Sequence, residues 1–161
     1  MSTIYFKEIQ KVSLNWKWVL FIALYILMAW ALVEQFYEHK YDIPGVISIV
    51  FSIVIIVFFN VIILCTKLET EINQNSISYQ FKPFHRKPRV IELGDISEIY
   101  LRQFKPYKEY GGYGIQRKLK YGQSFTVSGR SGLQIIIKNG KKILIGTQKP
   151  KEIETIVKKL I

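Results

Sequence analysis

Apolar positions along this chain follow two different patterns, and the change comes at about residue 67. Residues 16–36 carry charge only at Lys17 and Glu34, near the two ends, and residues 43–65 carry none. A helix rises about 1.5 Å per residue, so a bilayer core of about 30 Å needs roughly 20 residues. Both stretches are therefore predicted to be transmembrane helices, forming a two-helix hairpin over residues 16–66. The first is not expected to be a cleaved signal: its run over 18–33 is bulky and aromatic, and Val33-Glu34-Gln35 lacks a small-x-small pattern. Trp16 and Trp18 at one end, and Trp30, Phe36, Tyr37 and Tyr41 at the other, suit the membrane interface. Asp42-Ile43-Pro44-Gly45 puts proline in the first turn of the second helix, where its missing N–H has no partner to lose.

Ahead of the first helix, Tyr5, Phe6, Ile9 and Val12 recur at helical spacing, with Lys7, Glu8 and Lys11 on other faces. This predicts an amphipathic flank over residues 1–15, lying among lipid headgroups. Inside the second span Asn60 is the strongly polar side chain. It is expected to make a helix–helix contact, to the first span or to a second copy, worth about 0.6–2 kcal/mol. A transporter component is the lesser alternative, because Asn60, Ser48 and Ser52 supply little intramembrane polar chemistry.

From Lys67 onward the period becomes two. Leu68, Thr70 and Ile72 alternate with Glu69 and Glu71, and Ile77, Tyr79 and Phe81 alternate with Ser78 and Gln80, with Asn73-Gln74-Asn75 as the turn between them. Further strands are predicted over 90–93, 96–101 and 125–127, the second after a Gly94-Asp95 break. The clearest hairpin joins 133–137 to 142–145 through Asn139-Gly140, a dipeptide that readily takes the positive φ angles of a two-residue turn. After Pro150, Ile153, Ile156, Val157 and Leu160 fall on one helical face. Residues 67–161 thus read as about six or seven antiparallel strands and a C-terminal helix, most economically a sheet closing on itself with the helix plugging one end.

Charge adds an orientation. Before residue 67, Lys7, Lys11, Lys17 and Lys40 are balanced by Glu8, Glu34, Glu38 and Asp42, so the formal +11 belongs entirely to the strand-rich part. Basic residues concentrate in cytoplasmic segments, which predicts a multi-pass protein with both termini in the cytoplasm. The single Cys65 excludes a disulfide framework and any metal-ligand spacing. At the end of the second span it reads as a small apolar residue, with palmitoylation the less favoured alternative. No cofactor is expected.

Several segments carry a family resemblance: Ile77-Ser78-Tyr79-Gln80-Phe81-Lys82-Pro83-Phe84, Glu109-Tyr110-Gly111-Gly112-Tyr113-Gly114-Ile115, Ser128-Gly129, and Leu144-Ile145-Gly146-Thr147-Gln148 leading into the last helix. On these, residues 68–161 resemble a bacterial pleckstrin-homology-like (PH-like) domain, and nearly the whole chain resembles small bacterial membrane proteins in which a two-helix hairpin precedes such a domain. The resemblance implies a membrane α-helical hairpin plus an α+β PH-like domain in the bacterial inner membrane, with a barrel-like sandwich of about seven strands capped by a helix. It implies no established ligand or reaction. Phosphoinositide-binding members of the wider fold use a basic loop between their first two strands. Here that connection, Asn73-Gln74-Asn75, has no Lys or Arg.

Two groups of residues are candidates for contact. His85, Arg86, Lys87 and Arg89, with Arg117, Lys118 and Lys120, form basic stretches suited to an anionic leaflet, each charge worth on the order of 1 kcal/mol. The loop over 109–114 offers Tyr110 and Tyr113, with Arg117, as a ligand site. It lacks the Gly-Lys-Ser/Thr ending of a phosphate loop, and its glycines read first as turn residues needing positive φ. His39 and His85 fall on opposite sides of the membrane, and Ser124, Ser128 and Ser131 have no evident His-Asp set, so no enzyme is expected. The leading expectation is a membrane-anchored interaction module that binds a protein partner or its own copies. An anionic-lipid sensor is the alternative, and nucleic acid is disfavoured.

Overall fold

A computed structural model describes residues 4–12, 17–38 and 43–160, which divide into two compact units: Met1–Val12 with Cys65–Ile161, and Ser13–Leu64. The helical unit holds α1 (Lys17–Glu38) and α2 (Ile43–Cys65). Among the described residues α2 alone is long and apolar enough to cross a membrane, with a mean hydropathy of 3.1 and none of that stretch buried. In α1 the described apolar run is Tyr25–Glu34, and Trp30, Phe36 and Tyr37 are exposed. Trp16, the Trp18 side chain, His39, Tyr41 and Asp42 lie outside the described residues.

The polar side chains of α2 turn back on their own helix. Asn60 Nδ2 donates to the Ile56 carbonyl at 2.9 Å, Ser52 Oγ to that of Ser48 at 2.8 Å, and Ser48 Oγ to that of Gly45 at 2.9 Å. Asn60 therefore spends a donor within its own helix, where the sequence suggested a bond to a neighbouring one. Such back-bonding is how a polar group is satisfied when no water is near.

The second unit starts with the largest departure from expectation. Ile4–Lys11 is a strand, β1, and not an amphipathic helix. It pairs antiparallel with β2 (Lys67–Asn73), from Phe6↔Ile72 to Lys11↔Lys67. The helical unit is thus inserted in the connection between two paired strands. The spacing misled because the strand's pattern is inverted: Phe6, Glu8 and Gln10 are buried while Tyr5 and Ile9 are exposed. Two of the three inward side chains are polar, and they are held by specific partners. Glu8 accepts from Thr147 Oγ1 and from the Gln148 N–H, both at 2.8 Å, and Gln10 Nε2 donates to the Gly146 carbonyl at 2.6 Å.

β2, β3 (Ser76–Lys82) and β4 (Arg89–Glu92) continue the first sheet as an antiparallel meander. In β2 and β3 every second residue is buried, as the alternation predicts: Leu68, Thr70 and Ile72, then Ile77, Tyr79 and Phe81. A short turn over Leu93–Asp95 leads to the second sheet: β5 (Ile96–Gln103), β6 (Gly114–Lys118), β7 (Gly122–Thr126), β8 (Ser131–Ile137) and β9 (Lys142–Thr147). Its order is β5-β8-β9-β7-β6, and β7 runs parallel to β9. The domain therefore has nine strands among the described residues, one parallel pairing, and two separate sheets where a single closing sheet was expected. Both sheets contribute to one core, Phe6, Leu68, Ile72 and Ile77 from the first, and Phe125, Leu133, Ile135 and Ile145 from the second. α3 (Pro150–Leu160) adds Ile153 and Val157 and packs against β5, β1 and β8.

Candidate functional site

Two chain reversals and the start of one strand surround a groove of about 750 Å³, with Arg89 contributed by β4 and Arg117 and Lys118 by β6. Lys141 and Lys142 come from the β8–β9 connection, while Gly122 and Gln123 of β7 complete the lining beside Leu119. Five cations line it and no carboxylate does.

Local structure explains how they are held. The β8–β9 turn is fixed by the Ile137 N–H on the Lys141 carbonyl at 2.9 Å and the Lys141 N–H on Asn139 Oδ1 at 3.0 Å, with Gly140 at φ +81°. That sets Lys141 and Lys142 at the mouth of β9. Lys118 is the register partner of Gly122, so Leu119, Lys120 and Tyr121 form a tight loop closed by a glycine at φ +82°. Arg89 lies with its guanidinium 5.9 Å from the Phe125 ring centroid. Among the described residues none of the five forms a salt bridge.

Elsewhere some of the basic side chains are paired with carboxylates. Glu69 takes both Lys67 and Lys82, at 2.8 and 2.9 Å, and hydrogen bonds from these two lysines hold its carboxyl below the usual range. Lys7 pairs with Glu71, Lys149 with Glu152, and Lys158 with Glu154. What distinguishes the groove is that five cations share one cavity with no carboxylate among them, so an entering anion would ease their mutual repulsion while gaining charge-assisted hydrogen bonds.

The sequence candidates divide accordingly. Arg89, Arg117 and Lys118, from two stretches about thirty residues apart, do converge. Arg86 and Lys87 are exposed on the β3–β4 turn but do not line the groove. Lys120 lies with its ammonium 5.5 Å from the Tyr121 ring centroid, also outside the lining. His85 is not a free cation of this face. Its Nδ1 accepts from the Phe81 N–H at 3.3 Å and its ring packs 5.3 Å from that of Phe125. Burial, and then the Arg89 charge, push its pKa below 6.5, which favours the neutral form.

The tyrosine loop is held by internal contacts. Tyr110 is 0% exposed, packed with Phe104, Leu144 and Tyr121 in a small second core, and burial pushes its phenol pKa up. Its hydroxyl donates to the Tyr121 carbonyl at 3.2 Å and accepts from Arg102 Nη2 at 3.0 Å. Tyr113 donates to the Gly129 carbonyl at 3.0 Å. Arg117 joins the groove instead of either tyrosine. Gly111, Gly112 and Gly114 have φ of +85°, +140° and +103°, the turn role expected of them. A further organiser escaped the sequence reading: Arg102 reaches Glu109 at 2.6 Å and Gln134 at 3.0 Å as well as Tyr110. Desolvation raises the Glu109 carboxyl, but the Lys105 N–H and Arg102 outweigh it and hold it low.

Lys141 and Lys142 were also missed. Their charge is plain in Lys138-Asn139-Gly140-Lys141-Lys142, but only the parallel β7–β9 pairing, Gln123↔Ile143, carries them alongside Arg117 and Lys118. In comparisons with protein-family models, curated proteins and solved structures, nothing matches this chain.

Proposed function

We propose that this chain is a membrane-anchored, non-enzymatic binding module whose sheet domain captures a phosphate-bearing anion in the basic groove. The observation that carries the reading is the convergence of Arg89, Arg117, Lys118, Lys141 and Lys142 around one cavity with no carboxylate in its lining. The anchor is α1 and α2 crossing the bacterial inner membrane as a hairpin, with both termini cytoplasmic. Two features support it: the exposed apolar surface of α2 with its internally bonded polar groups, and the pairing Lys11↔Lys67, by which the chain leaves and re-enters the sheet at one place. An even number of crossings suits that connection. The two sheets with a C-terminal helix suit a PH-like sandwich, with the groove away from the Asn73-Gln74-Asn75 turn.

Binding of a protein partner or of further copies, through the open edges of β1, β4, β5 and β6, is the weaker reading, since every edge strand offers such an edge and nothing selects among them.

Full-length protein in zwitterionic nanodiscs, titrated with tripolyphosphate, tests the groove. Saturable, salt-sensitive binding is expected. Lys118→Glu with Lys142→Glu should weaken it by on the order of 100-fold, at roughly 1 kcal/mol or more per reversed charge. Lys151→Glu with Lys159→Glu, the same change in net charge on the exposed face of α3, should leave it within about twofold. Equal losses from both pairs would reduce the effect to overall charge and sink the reading.

A further inference from the structure

We infer that the β6–β7 hairpin is a membrane-docking tip, with Leu119 entering the interface of an anionic bilayer while the groove cations take the headgroups. This rests on the reading above and commits its anion to lipid. Leu119 is fully exposed at the end of a hairpin. A single exposed leucine is ordinary on a protein surface. This one also lines the cation groove and stands between Lys118 and Lys120. Its hairpin is braced from within, because Tyr121 packs against Tyr110 at 5.8 Å between ring centroids and Tyr110 is fully buried. The tip is therefore presented on a rigid support and needs little ordering on contact.

A second exposed apolar side chain repeats the arrangement. Phe84 is 59% exposed on the β3–β4 turn, followed closely by Arg86 and Lys87, and the same turn ends at Arg89 in the groove. Lys82, where this turn begins, is the register partner of Lys67, which pairs with Lys11. The β3–β4 turn therefore lies at the end of the first sheet where the chain departs for α1 and returns from α2. Apolar tips flanked by cations combine the two terms that hold a protein on an anionic surface, buried apolar area and attraction to headgroup charge. A soluble anion would be served by the cations alone and would give Leu119 nothing to bury.

The test uses the full chain carrying Cys65→Ala and Leu119→Cys, with an environment-sensitive fluorophore on the new thiol, in nanodiscs of zwitterionic lipid alone or mixed with phosphatidylglycerol. The expected result is a blue shift in the mixed discs only, with loss of most of the emission when lipids carry a shallow quencher. Both responses should vanish on adding Lys118→Glu and Lys142→Glu. A probe that reports water in both discs, in a protein that still binds tripolyphosphate, overturns the docking tip and leaves the groove reading intact with a soluble ligand. Equal quenching in both discs overturns charge-steered docking. Loss of tripolyphosphate binding in the wild-type groove overturns the reading itself and the tip with it.

Discussion

A chain restricted to residues 67–161 will not fold, whereas one in which residues 1–12 are joined to 65–161 by a short polar loop will. The first lacks β1. Its Phe6 belongs to the core shared by both sheets, and losing such a side chain costs about 3–5 kcal/mol. Glu8 and Gln10 leave as well, so Thr147, the Gln148 N–H and the Gly146 carbonyl lose their partners. Hydrogen bonds to a charged group are each worth about 1.5–3 kcal/mol. Against a total stability of about 5–15 kcal/mol for a domain, these losses suffice to unfold it, even before the β1–β2 ladder is counted. The joined chain keeps all of this, because Lys11 and Lys67 are already register partners and a short turn can replace residues 13–64. Near-ultraviolet circular dichroism and thermal melts separate the two. A cooperative melt from 67–161 alone, matching that of the joined chain, would show that β1 is dispensable.

Gly122→Ala should destabilise the domain by about 3–5 kcal/mol, combining the strain of a left-handed backbone with forced overpacking. Gly122 has φ +82°, and a Cβ there would overlap the Lys142 carbonyl oxygen and stand 2.6 Å from Lys142 Cβ. Neither neighbour can move cheaply, since Lys142 opens β9 and pairs with Ile136 of β8. Gly140 is the matched control: its φ is +81°, but a Cβ would meet nothing within 4 Å. Gly140→Ala should therefore cost only the backbone term, about 1–2 kcal/mol. Urea unfolding of the joined, helix-free domain measures both. The surviving folded fraction of Gly122→Ala should also bind tripolyphosphate poorly, because the same displacement moves Lys142. Equal costs at the two glycines would mean that β7 and β9 do not approach as closely as described.

How far the sequence could be read depends on which physical signal each element carries. β2 and β3 were legible because their inward positions are apolar and their outward ones polar, the ordinary pattern of a half-buried antiparallel strand. The β8–β9 hairpin was legible from Asn139-Gly140, and α3 from its apolar face. β1 was not, because Glu8 and Gln10 face inward and depend on partners about 140 residues away, while Tyr5 and Ile9 face outward. Nor was the parallel β7–β9 pairing, since period two marks a strand but not its neighbour.

The site shows the same division. Charge identified Arg89, Arg117 and Lys118, but a charge count cannot tell a free cation from one with a partner. Lys82 lies in the same basic stretch as Arg89 and yet is held by Glu69, and His85 is turned against Phe125. Tyr110 stood in a glycine-rich loop read first as a turn and second as a ligand site, and Arg102, seven residues before Glu109, organises that loop through Glu109 and Gln134.

Hydrogen exchange on the full chain in zwitterionic nanodiscs, with and without tripolyphosphate, bears most directly on the groove as the working site. Protection should rise at the backbone amides of residues 117–123 and 139–142, leaving α3 and the β2–β3 turn unchanged. Uniform protection across the domain, or none at these two segments, would contradict it.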